Sequence, residues 1–185
     1  MKIRKIALLL AVVLLLGCVL TACDEDDVKA VEQAVEATEE KTAGLPNPMV
    51  ETDAKGFVEQ VGAELNVPQG ATDVKYYVID KTLGQMDFKL NGMDFTARVK
   101  SSDKFEDISG MYCKWDVEDD CKIGGRDGKN MRGKTDGKNV DVCLWYDVVP
   151  GFMYSLSTQT ADSLDGFDGV AVAEQVYKPM QGEVG

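Results

Sequence analysis

Cysteines, carboxylates and aromatic rings are the groups in this chain with chemistry to offer, because histidine is absent from all 185 residues. Without histidine there is no Ser-His or Cys-His nucleophile pair, and the commonest general base and zinc ligand are gone. Cys113, Cys121 and Cys143 lie in the body of the chain with no Cys-x-x-Cys pair among them. A zinc site and an activated thiol are therefore not expected. In an exported chain, three such cysteines suit one disulfide and one free thiol. Three pairings are open. Cys121 with Cys143 is preferred, since both can flank a hairpin whose long loop is the glycine- and lysine-rich stretch 127–138. Two acidic groups, Glu118, Asp119, Asp120 and Asp162, Asp165, Asp168, lack the alternating oxygen ligands, the glycine and the closing glutamate of an EF-hand loop. A turn and a helix start account for them, so no metal and no cofactor is expected.

Trp115, Trp145, Tyr146 and Tyr154 fall in or near neighbouring strands. Stacked on one face, such rings hold a sugar or a peptide, although most are expected in the core. Trp145 is the candidate binding residue because, two positions from Asp147, it shares that residue's face and is expected at the surface.

Net charge is −12. The first 22 residues hold three cations, Lys2, Arg4 and Lys5, and no acid, so the remainder carries −15. That excess repels phosphate backbones and anionic headgroups, which argues against nucleic acid and favours a cationic partner.

The cationic start and the apolar run from Ile6 to Leu16 read as an export signal, too short for a comfortable membrane span. Leu20-Thr21-Ala22-Cys23 resembles the lipobox of bacterial lipoproteins. The resemblance implies that Cys23 carries a diacylglycerol and becomes the first mature residue. Leu15-Leu16-Gly17-Cys18 fits a looser version. Cleavage at Cys23 is preferred because it leaves acids outside, whereas cleavage at Cys18 leaves Val19 and Leu20 at the surface. The expected organisation is a signal peptide over 1–22, an acylated cysteine and acidic tether over 23–49, and one globular domain over 50–185. The membrane is then a partner through the lipid anchor.

The domain has the elements needed to position its aromatic rings. Asp53 caps a helix with Phe57, Val58, Val61 and Leu65 on one face. Strands are expected at 74–80, at 111–117 and in a hairpin turning on Asn91-Gly92, where Leu90 faces Met93, Phe88 faces Phe95 and Met86 faces Ala97. A second hairpin turns on Val149-Pro150-Gly151, pairing Val148 with Phe152, Tyr146 with Tyr154 and Leu144 with Leu156. A last helix spans 162–177, with Leu164, Phe167, Val170 and Val176 inward. The fold class is α+β: an antiparallel β-meander with an N-terminal and a C-terminal helix covering one face.

"EDISGMY" (106–112), "LWYDVVPG" (144–151) and "MYSLS" (153–157) resemble an uncharacterised domain of extracytoplasmic lipoproteins from Gram-positive, mainly clostridial, bacteria. That domain is similar in turn to a family found on some membrane-bound regulators. The resemblance spans 51–177 and implies fold and location without a reaction. The expected function is that of a membrane-anchored, non-catalytic lipoprotein binding a cationic, peptide or sugar ligand. The alternatives are a carboxylate hydrolase, for which a larger cleft is usual, and a sensor or regulatory domain.

The anchor is tested in a native-like host. Cys23→Ala should abolish fatty-acid labelling and accumulate uncleaved precursor, while Cys18→Ala keeps the label; the opposite pattern moves the anchor to Cys18.

Overall fold

The computed structural model describes residues 49–180. The expected signal peptide, Cys18, Cys23 and the tether up to residue 48 lie outside the described residues. Ten elements follow in order: β1 (Met49–Thr52), α1 (Ala54–Val61), β2 (Thr72–Ile79), β3 (Leu83–Leu90), β4 (Met93–Ser101), β5 (Lys114–Ile123), β6 (Arg126–Thr135), β7 (Lys138–Asp147), β8 (Phe152–Thr160) and α2 (Gly169–Val176). The strands form a single antiparallel sheet in the order β1-β2-β3-β4-β8-β7-β6-β5. It is an α+β fold made of two four-stranded meanders joined along β4 and β8.

Both helices lie on one face. Phe57 and Val61 of α1, and Val172, Ala173 and Val176 of α2, share a core with Met86, Phe88, Phe95, Val99, Trp145 and Tyr154 of the sheet. Asp53 accepts the Gly56 N–H at 2.7 Å and caps α1, while Gly62 closes it at φ 78°. The helix is one turn shorter than expected: Leu65 is buried beyond it, and Val58 faces out. The last helix is shorter still, starting at the Asp168 cap. Phe167 packs on this core from the turns before the helix, where Leu164 is also buried. Gly84 is required beneath α1, since a Cβ there would stand 2.6 Å from the Phe57 ring.

The opposite face is covered in part by residues 102–113, which link β4 to the far edge of the sheet. Ile108 and Met111 from that link pack on Val140, Val142, Leu144 and Met153. The shorter strand expected at 111–117 is found as β5, beginning at Lys114.

The first hairpin has the expected pairs, with Asn91 and Gly92 at φ 51° and 80°. The second differs by one residue. Asp147, not Val148, lies opposite Phe152, so Trp145 pairs with Tyr154 and Cys143 with Leu156. The loop holds four residues, closed by Gly151 N–H donating to Asp147 O at 3.0 Å. A one-residue shift exchanges the two faces of a strand. Trp145 therefore points into the helix-side core with no exposed surface, and Asp147 beside it is buried too. The expectation that Trp145 is a surface binding residue is overturned by this shift.

Trp145→Ala should cost about 3–5 kcal/mol of stability. Val148→Ala at the exposed hairpin tip should change it by less than about 0.5 kcal/mol. Urea unfolding of the full chain in detergent checks both.

Candidate functional site

The helix-side face of β6 and β7 concentrates the reactive groups. Trp145 stacks on Tyr154 with centroids 5.3 Å apart and planes 5° from parallel, and Tyr177 meets both rings edge-on. Gly128 of β6, opposite Trp145, leaves the room: a Cβ there would stand 3.2 Å from both Cys121 Sγ and Trp145 Cβ. The indole N–H of Trp145 has no hydrogen-bond partner among the described residues, so packing alone holds the ring. At one end of this row the Tyr177 hydroxyl donates to Asp147, which also accepts from Arg126 Nε at 2.9 Å. Burial, reinforced by that carboxylate, pushes the Tyr177 hydroxyl well above the usual tyrosine range.

At the other end, Asp141 accepts from Arg132 Nε at 2.7 Å and from Asn130 Nδ2 at 2.9 Å. Arg132 also donates to the Phe167 carbonyl at 2.6 Å, which ties the approach to α2 onto the sheet. Burial raises the Asp141 pKa, and the Arg132 pair opposes the rise. Cys143 lies between the two charged ends, 4.0 Å from Asp141. Burial, with Asp141 adding to it, pushes its thiol far above the ordinary cysteine range, the reverse of what a nucleophile needs.

Cys113, Cys121 and Cys143 are unpaired, which corrects the expected Cys121–Cys143 disulfide. The stretch expected as a loop is strand β6, and it separates the two cysteines. Two strand spacings amount to roughly 9–10 Å, beyond the ~7 Å Cα separation that a disulfide can span. Burial also raises the Cys121 and Cys113 thiols.

The acidic groups separate as well. Asp168 caps α2 through Ala171 N–H at 3.0 Å. Glu118, Asp119 and Asp120 lie in β5, and their side chains alternate between its faces. Among the described residues no three acids or cysteines converge as a metal site requires.

On the opposite face, Arg98 donates to Gln85 Oε1 at 2.9 Å and to the Ile108 carbonyl at 3.2 Å. Gly110, at φ 72°, passes directly over the guanidinium, and any Cβ there would collide with it. Glu106 pairs with Lys100 at 3.1 Å, and the Asp107 side chain accepts the Ser109 N–H at 2.8 Å. Thus "EDISGMY" is the segment that fastens the 102–113 link, and it leaves Tyr112 at its end 91% exposed. Where β2 is bulged between Thr72 and Lys75, a shallow groove of about 580 Å³ runs past Asp73, Lys75, Asp87, Lys89 and Asp94. Its charges are already engaged in part: Lys89 lies 3.6 Å from Asp73, and Asp87 accepts from Gln85 and Thr96.

The remaining open feature is an edge. β5 is paired on one side only among the described residues, and its ten residues are mostly exposed. The sequence marked part of this strand but not its place at the edge, because its partner β6 (RDGKNMRGKT) lacks the apolar alternation that announces a strand.

No family model, curated protein or solved structure matches the chain.

Arg132→Ala leaves the Asp141 carboxylate buried without its cation and should cost about 3 kcal/mol or more near neutral pH. A raised folded-state pKa makes the stabilising contribution complete below the unfolded value and lost as pH rises through the folded value. Removing Arg132 raises that pKa further, so the deficit against wild type should shrink as pH falls from 7 toward about 4. Urea melts at several pH values check this; a deficit independent of pH would place the cost elsewhere.

Proposed function

We propose that this chain is a membrane-tethered, extracytoplasmic binding domain that does no covalent chemistry. One observation carries the reading: the groups able to do chemistry are committed to holding the fold. Asp141 and Asp147 each accept from an arginine, Tyr177 donates to Asp147, and Cys143 and Trp145 have no exposed surface. A hydrolase of the carboxylate type needs two free acids converging on an open cleft; in the shallow groove beside β2, Asp73 and Asp94 flank Lys89 at 3.6 and 3.9 Å, and Asp87 accepts from Gln85 and Thr96.

What the chain offers outward is charge and backbone. Outside the first 22 residues it carries −15, which selects cationic ligands and keeps the domain off anionic headgroups at distances beyond its anchor. The lipobox-like Leu20-Thr21-Ala22-Cys23 and the acidic stretch after it supply tether and spacing. Two acyl chains anchor stably, at about 0.8 kcal/mol for each buried methylene.

The location is tested on intact cells of a native-like host. External protease should remove the domain without lysis, and Cys23→Ala should leave none of the protein in mature, membrane-bound form. A domain that resists protease until the membrane is opened would place it inside and overturn the reading.

A further inference from the structure

The two edges of the sheet are not alike. β1 has four residues and runs straight into the Asp53 cap of α1, so it presents little free ladder. β5 has ten, and along all of them the backbone N–H and C=O groups pointing away from β6 have no strand to pair with among the described residues. An open edge of that length is a template for another strand unless something discourages the wrong partner. Here the discouragement is electrostatic. Asp116, Glu118, Asp119 and Asp120 lie along β5 against Lys114 and Lys122. Glu118 has Lys129 of β6 at 3.8 Å, and Lys122 is paired with Asp127. Asp116, Asp119 and Asp120 have no ion pair among the described residues.

We propose that β5 is a docking edge for an extended, cationic polypeptide segment, which adds to the sheet as a ninth strand. The inference rests on the reading of this chain as a binding domain and names the site and the class of ligand. Backbone pairing supplies a ladder open to any extended chain, and the side chains choose among them. On one face of β5 an incoming strand meets Trp115, Glu118 and Asp120; on the other it meets Val117, Asp119 and Cys121. Lysine or arginine on both faces of the ligand matches that pattern, and its hydrocarbon stems find Trp115 and the exposed Val117.

Other occupants fit worse. Antiparallel self-pairing of β5 about its centre keeps the faces of the two copies aligned, so it would set Glu118 against Glu118, or Asp119 against Asp119 with Glu118 against Asp120, like charges on a shared ladder. The chain's own residues 24–48 carry eight acids against two lysines.

The test uses the full chain in detergent micelles and a synthetic peptide repeating Lys-Lys-Thr-Thr, which puts lysine on both faces of an extended strand, long enough to span β5, with a Glu-Glu-Thr-Thr peptide as its counterpart. Hydrogen exchange read by mass spectrometry should slow in β5 with the lysine peptide and not with the glutamate one. Asp116→Lys, Asp119→Lys and Asp120→Lys together should weaken the lysine peptide about tenfold or more. N–H direction alternates along a strand, so either Asp119→Pro or Asp120→Pro removes an outward donor while sparing the β6 ladder. That variant should keep its urea midpoint and lose the protection. Protection at another surface, protection indifferent to peptide charge, or no protection with either peptide would each overturn the inference. The proteolysis of intact cells is scored independently, so failure of the edge and failure of the binding-domain reading are told apart.

Discussion

Asp147 lies opposite Phe152, and the interior depends on that pairing. It places Asp141, Cys143, Trp145 and Asp147 on the side of the two helices, where Arg132, Asn130, Tyr177 and Arg126 meet them. Slide β7 by one residue and Tyr146, Leu144 and Val142 take those positions, while two carboxylates move to a face whose arginine, Arg98, is already engaged with Gln85 and the Ile108 carbonyl. An uncompensated buried charge costs several kcal/mol, so the alternative register is penalised twice, once at each end of the strand. The four-residue turn is the device that selects the register. Gly151 at φ 68° lets its N–H reach back to the Asp147 carbonyl, a backbone shape that a residue with a Cβ adopts reluctantly.

Cations inside the fold are used differently from those outside. The three arginines of the described residues all reach inward: Arg126 to Asp147, Arg132 to Asp141 and the Phe167 carbonyl, and Arg98 to Gln85 and the Ile108 carbonyl. A planar guanidinium binds two acceptors at fixed angles, and it stays charged when partly dehydrated. Each therefore fastens something to the sheet: Arg132 the segment before α2, Arg98 the link over the second face, and Arg126 the carboxylate shared with the end of α2. Lysines, with flexible ammonium heads, make the more exposed pairs with Glu59, Asp73 and Asp127. In so acidic a chain, spending its arginines inward leaves the outside all the more negative.

How far the sequence foretold this depends on how much phase information each strand carries. β3 and β4 alternate apolar and polar residues, and Asn91-Gly92 is suited to positive φ, so every pair of that hairpin was readable in advance. β7 is apolar on both faces because the helices cover one and the 102–113 link covers the other. A strand buried on both sides shows no alternation and hence no register. The turn length then decides, and the glycine of Val149-Pro150-Gly151 pointed to a three-residue loop where the chain forms one of four. β6 was missed for the opposite reason: its inward positions are arginine, glycine, asparagine and arginine. Their polarity is cancelled by partners on β7 and their glycine by the bulk of Trp145, and both lie far off in sequence. With β6 read as a loop, Cys121 and Cys143 looked adjacent; with the β7 register off by one, Trp145 looked exposed. The whole candidate site inherited those two errors.

The edge strands bear on how such a domain behaves where many copies are held in one plane. On the lipid-anchored reading, tethering confines the copies and raises their effective concentration, the condition in which a ten-residue open edge would pair with its own kind. β5 pairs with β6 along its whole length, so the open edge is as long as the strand it covers. Charge guards that edge, and acid suits it better than base here: the rest of the surface is already negative, so like edges repel at the range set by ionic strength, about 8–10 Å in ordinary salt. The same arrangement cannot repel a cationic strand. An edge defended by one sign of charge is closed to its own copies and open to the other sign, so protection against self-association and selectivity for a partner have a single physical cause.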